Sequence, residues 1–249
     1  MKSNIPVVSI SVFVFLVTVS NSLKAQPILD LESGIVFSGY NVVRIPGDIG
    51  TRFSLSEDFN ANPAFYYRLR GGYKLGDRHN LFVLFAPLTV KSSGTFPSDI
   101  NFEGVIFPAN TYINGTYKFN SYRLTYRYDF IDRPGFSFGL GFTAKIRDAM
   151  IELSSSGHNS KKTNVGFVPI LNFLVAWKAN EKLSFVMDGD ALAAPQGRAE
   201  DILFSGQYRI WNKIRLKAGY RILEGGADND EVYNFALFSY TALGIIINL

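Results

Sequence analysis

The chain has 249 residues, of which 47% are hydrophobic, 15% aromatic and only 18% charged. So many aromatics and so little charge exclude a disordered chain. The absence of cysteine excludes a disulfide framework and any thiolate-ligated metal or cluster. The 25 basic residues exceed the 21 acidic ones by four, and Lys2 and Lys24 fall in a segment read below as removed, so the basic balance does not point to nucleic acid.

Residues 1–25 have the form of a secretory signal. Lys2 gives a basic start, Ile5 to Val19 is almost wholly apolar, and Leu23 and Ala25 occupy the −3 and −1 positions of a cleavage site before Gln26. The apolar run fits an h-region and is short for a span of ~20 residues. The expected organisation is a signal peptide over 1–25, cleaved near Ala25, and one domain over 26–249. An uncleaved anchor helix is the alternative.

From residue 26 onward no stretch reaches 18 apolar residues, and polarity alternates with period two. Along 65–75, Phe65, Tyr67, Leu69 and Tyr73 oppose Arg68, Arg70 and Lys74. Along 122–130, Tyr122, Leu124, Tyr126, Tyr128 and Phe130 oppose Arg123, Arg127 and Asp129. Along 136–147, Phe136, Phe138, Leu140, Phe142 and Ile146 oppose Ser137, Thr143, Lys145 and Arg147. Residues 183–191 and 214–222 repeat the pattern. A helix would smear these charges around its circumference, whereas a strand separates them onto one face. The spacing predicts strands near 28–40, 63–75, 80–91, 117–130, 136–153, 164–178, 183–193, 202–211, 214–224 and 231–248. Connections alternate between tight turns and longer stretches at 41–62, 92–116, 154–163, 194–201 and 225–231. Segments 52–57 and 102–107 are candidates for extra strands above the membrane.

Phe and Tyr weight the apolar face. With short turns alternating with longer loops, this is the pattern of a closed antiparallel transmembrane β-barrel. The fold class expected is all-β with ten strands, eight or twelve being the alternatives. Tyr233, Phe235, Leu237, Leu243, Ile245, Ile247 and Leu249 share one parity in the last strand. Here the sequence resembles the small outer-membrane β-barrel proteins of Gram-negative bacteria. That resemblance implies the cell outer membrane as location, with lipid, lipopolysaccharide and the barrel-assembly machinery as partners. A terminal Phe is usual in such proteins, and Leu249 stands in its place.

If apolar residues face lipid, the opposite parity lines the lumen. The charge cluster expected there is Arg68, Arg70, Arg123, Arg127, Lys145, Arg147, Asp188, Asp190, Arg215, Lys217 and Arg221, joined by Asp30, Glu32 and Asp129. Enclosed charges must be paired or hydrated. The cluster therefore reads either as a salt-bridge network filling the barrel or as a narrow anion-favouring water path. The function expected is a non-enzymatic structural barrel or narrow pore. A lipid-modifying hydrolase, or a receptor or adhesin using 41–62 and 92–116, is the alternative.

Candidates for chemistry are few. His158-Asn159-Ser160 has the spacing found in outer-membrane phospholipase and lipid A deacylase, with Asn172 as an orienting amide, but the tip of one hairpin arm and its middle are far apart. A protease would need Asp188 and Asp190 to meet a histidine. Two histidines and no cysteine leave little for a transition metal, and no cofactor motif is present. The acidic stretch 225–231 lacks EF-hand spacing. Gly71, Gly72, Gly139 and Gly141 fall inside strands, where they permit curvature or close approach. Arg44, Arg52 and Arg198 fall where lipopolysaccharide phosphates would lie.

Overall fold

The computed structural model describes residues 25–195 and 197–249. Apart from Ala25, the signal-peptide reading falls outside the described residues.

Ten strands form the wall: β1 (Ala25–Arg44), β2 (Ala64–Leu75), β3 (His79–Ala86, continued by Thr89–Thr95), β4 (Tyr112–Arg133), β5 (Phe136–Ser155), β6 (His158–Lys178), β7 (Leu183–Ala194), β8 (Gly197–Trp211), β9 (Ile214–Asp228) and β10 (Tyr233–Asn248). Each pairs antiparallel with the next, and β10 returns to β1 in the register Ile28↔Asn248. Closure is what the hydrocarbon demands, because an open edge leaves backbone polar groups unpaired there. The chain is thus a closed ten-stranded barrel.

Several strands rise further than their alternation indicates. The stretches 154–163, 194–201 and 225–231, expected as loops, are largely strand. β5 and β6 pair up to Ser155↔His158, β7 and β8 up to Ala194↔Gly197, and β9 runs to Asp228. Above the membrane a strand has solvent on its outer face and no longer needs apolar residues there, so the sequence signal fades while the ladder continues.

The outward face carries the lipid belt. Phe65, Phe142, Phe167 and Leu243 are each more than 60% exposed, with Trp177 and Trp211 at the lower edge. Its outer limit on β4 and β5 is marked by outward-facing charge: Lys118 bonds Asp148 at 2.9 Å. That bond holds the half-buried Asp148 carboxyl below the usual carboxylate range, so it remains charged and stays out of hydrocarbon.

The two long outer segments do not stand free. Phe53–Ser54 pairs with β1, Asn60–Ala61 pairs with the upper part of β3, and Ile100–Phe102 forms a hairpin with Val105–Phe107. Thr51 donates to the Asn101 carbonyl at 2.9 Å, tying one segment to the other. Phe53, Phe59, Phe102 and Phe107 are at most 2% exposed, and they pack with inward-facing Val36, Tyr117, Leu153 and Phe238 in one apolar cluster. Phe53 lies 6.0 Å from Phe59 and 6.2 Å, edge-on, from Phe102. The outer part of the barrel therefore contains an apolar core. The charge cluster expected on the inward face therefore occupies only its lower part.

Candidate functional site

Below the apolar core the inward parity changes from aliphatic to ionic. β1 supplies Asp30 and Glu32, β2 Arg68 and Arg70, β4 Arg123, Arg127 and Asp129, β7 Asp188 and Asp190, β8 Asp201, and β9 Lys217 and Arg221. Most of these sit two or four residues apart along their strands, so the pleat turns them all to the lumen. All but Arg70 are buried.

These six cations and six carboxylates pair completely. Arg68 donates to Asp201 at 2.9 Å, and Arg123 and Arg221 bond the same carboxylate. Arg221 also grips Glu32 in bidentate fashion, at 2.8 and 2.9 Å. Lys217 bridges Asp30 and Glu32 at 2.6 and 2.8 Å. Arg70 joins Asp30 at 3.0 Å and also bonds Asp188. Arg127 lies 3.3 Å from Asp129 and 3.5 Å from Asp188. Arg123 holds Asp190, which also accepts from Thr143 at 2.6 Å and Asn172 at 2.9 Å.

Several of these bonds cross the barrel. Arg68 and Arg70 on β2 reach β8 and β7, and Arg123 and Arg127 on β4 reach the same two strands. They are struts between opposite walls. The cavity among them is about 40 Å³, room for a few waters.

Three cations of the expected cluster stand outside the network. Among the described residues, Lys145, Arg147 and Arg215 form no ion pair. Lys145 is 3% exposed and lies 4.8 Å from the ring centre of Phe119. Arg147 bonds the Asn164 amide oxygen, while its Nε is buried without a partner. The buried Nε of Arg215 also lacks a partner.

Asp201 is the residue the sequence pattern misses. It falls in the 194–201 connection by sequence, yet it joins three arginines in the network. Read as strand, Asp201, Leu203, Ser205 and Gln207 share one inward parity, and that alternation is the signal that finds it.

The possible catalytic groups remain apart. His158 begins β6 beside Phe107, and Ser160 is two residues on. Asn172 lies twelve residues beyond Ser160, about 40 Å along the strand, where its amide is bonded to Gly189 and Asp190. His79 sits at the opposite end of the barrel, bonded to Tyr126 at 2.8 Å. Neither histidine meets Asp188 or Asp190, and no group of three or more potential metal ligands exists among the described residues. At the outer rim, Arg44 and Arg52 stack on Tyr233 at 5.3 and 5.2 Å, and Arg198 is bound to Glu224 at 2.7 and 2.8 Å.

No protein-family model matches the chain, and no curated protein matches it. Among solved structures it is similar to the outer membrane protease OmpT of Escherichia coli, with TM-score 0.55 and 9% identity over 92% of this chain and 99% of that one. Lower overlap is found with Ail, the attachment invasion locus protein of Yersinia pestis, in complex with the heparin analogue sucrose octasulfate (TM-score 0.40, 11% identity, 88% and 99% of the two chains). Neisserial surface protein A gives TM-score 0.34 and 14% identity over 89% and 97%. The likeness to OmpT is one of fold, a closed antiparallel β-barrel.

Proposed function

We propose that this is a non-enzymatic outer-membrane barrel with a sealed lumen, a structural element of the envelope rather than a solute channel. The observation that carries this reading is the complete pairing of six lumenal cations, all buried but the half-buried Arg70, with six buried carboxylates, beneath an apolar core. Opening a path would require separating buried ion pairs, and stripping one partner from such a pair costs about 3–5 kcal/mol. A ten-stranded barrel is also near the size at which side chains alone fill the interior. Phe53, Phe59, Phe102 and Phe107 of the long outer segments are buried in the core, which weighs against a role as free recognition loops. At the rim, the reading includes contact of Arg44 and Arg52 with lipopolysaccharide phosphates, for which guanidinium groups are well shaped.

Proteoliposome swelling tests the sealed lumen. Vesicles containing folded protein should admit a small sugar no faster than empty vesicles, and swelling proportional to the protein content would refute sealing. Co-purified lipopolysaccharide should drop in an Arg44→Ala, Arg52→Ala variant, and an unchanged amount would remove the rim contact.

A further inference from the structure

A second and larger cavity, of about 520 Å³, lies on the outer side of the charge network, between β5–β6 and β8–β10. Its volume is in the range of small-molecule sites, roughly 300–1,000 Å³. Ala149, Ile151, Val168, Leu192, Leu223 and Phe238 give it apolar walls.

The cavity reaches through the barrel wall. Phe167 and Pro169 belong to the outward parity of β6, yet both line it. The cause lies in the β6–β7 ladder, which runs from Lys178↔Ser184 only to Leu171↔Ala191. The Lys178 N–H bonds Gly135 at the foot of β5, and the β5–β6 register is unbroken. Even-numbered N–H groups of β6 therefore face β5, and odd-numbered ones face β7. The next donor toward β7 above Leu171 belongs to residue 169, which is proline and has none. There the ladder stops, and β7 turns into β8 shortly above it. Phe167 pairs with Ile146, two residues below Asp148↔Val165, so the opening lies at the outer margin of the lipid belt.

The cavity also holds unneutralised charge. Lys145 and Arg147 face it from β5, and no carboxylate lies within ion-pair distance of either among the described residues. The other charged groups on its wall differ. Lys162 pairs with Glu103 at 2.9 Å, Arg198 pairs with Glu224, and Glu231 lies on the far β9–β10 side. A buried cation without a counter-charge is costly, and an anionic ligand removes the cost.

We propose that this cavity binds a single-chain amphiphile with an anionic head, taken sideways from the outer leaflet through the gap between β6 and β7. The head rests on Lys145 and Arg147. The hydrocarbon chain lies against Ile151, Leu223 and Phe238 and leaves past Phe167 and Leu192. This goes beyond the sealed-lumen reading, and its test is independent of solute passage.

The test uses the full folded protein in phosphatidylcholine nanodiscs, with palmitate, hexadecyl phosphate and uncharged hexadecanol as probes, read by native mass spectrometry. Both anions should bind at least about tenfold more tightly than the alcohol, as charge-assisted hydrogen bonds require. The Lys145→Met, Arg147→Met variant should bring the anions down to the level of the alcohol. Ala149→Trp, which fills the cavity and leaves both cations, should weaken all three probes. Pro169→Val, which restores the missing donor, should slow capture. Preference for one anion over the other would support the site and identify its head group. Equal binding of the alcohol, full binding by the double variant, or no bound probe on folded wild-type protein would overturn it. Heat-dependent gel mobility confirms folding of each variant.

Discussion

Arg68 on β2 and Asp201 on β8 meet across the lumen, Nη2 to Oδ2, at 2.9 Å, joining strands four positions apart around the wall. Asp201 is also the shared acceptor of Arg123 and Arg221. One carboxylate thus balances arginines from three strands.

Removing it strands those arginines. Asp201→Ala should destabilise the folded barrel by about 3–5 kcal/mol, the cost of leaving buried charge uncompensated. Urea titration in lipid vesicles, followed by gel mobility, measures it. A loss under ~1 kcal/mol would mean that water already carries these charges.

The paired and unpaired cations should respond in opposite ways. Arg123→Met leaves Asp190 and Asp201 each short of a bond and should cost several kcal/mol, on the order of the same buried-pair penalty. Lys145→Met removes a buried charge that has no counter-ion, and it should be neutral or stabilising. The same urea titration compares the two, and equal losses would contradict the division of the cluster into paired and unpaired members.

The apolar core should hold the outer segments in place. Phe102 is fully buried against Phe53, so Phe102→Ala should cost about 3–5 kcal/mol. Protease cleavage within 96–110 should accelerate while the membrane-embedded wall remains intact. Unchanged cleavage would mean that these segments are held by their backbone bonds alone.

Two strand glycines separate close approach from bystanders. A Cβ on Gly141 would lie 1.9 Å from the Tyr126 carbonyl oxygen, whereas one on Gly71 meets nothing within 4 Å. Gly141→Ala should therefore impair folding yield and Gly71→Ala should not, as measured by the heat-modifiable fraction after refolding.

The sequence made the wall legible because lipid imposes a strict rule on it. Phe142 and Thr143, or Leu124 and Arg123, cannot exchange faces, so parity alone assigns them. Asp201 was hidden because its segment, Arg198 to Asp201, is polar at three of four positions. In a soluble protein that composition marks a loop, but in a barrel with an ionic interior a polar residue is what an inward position requires. The apolar core was hidden for a different reason. Phe53, Phe59, Phe102 and Phe107 carry no strong periodicity, and their partners Val36, Leu153 and Phe238 are distant in sequence. Their presence in supposed outer loops was the available sign, together with Ile151 and Leu153 on the inward parity of β5. The gap beside Pro169 depends on which neighbour each N–H faces, and that is settled by register.

Single-channel recording on the purified, folded protein in a planar bilayer tests the sealed lumen most directly. Wild-type protein should be electrically silent at moderate voltage and neutral pH. Steady, reproducible openings from a demonstrably folded barrel would contradict it, and would require a water path through the Arg68–Asp201 and Arg123–Asp190 struts.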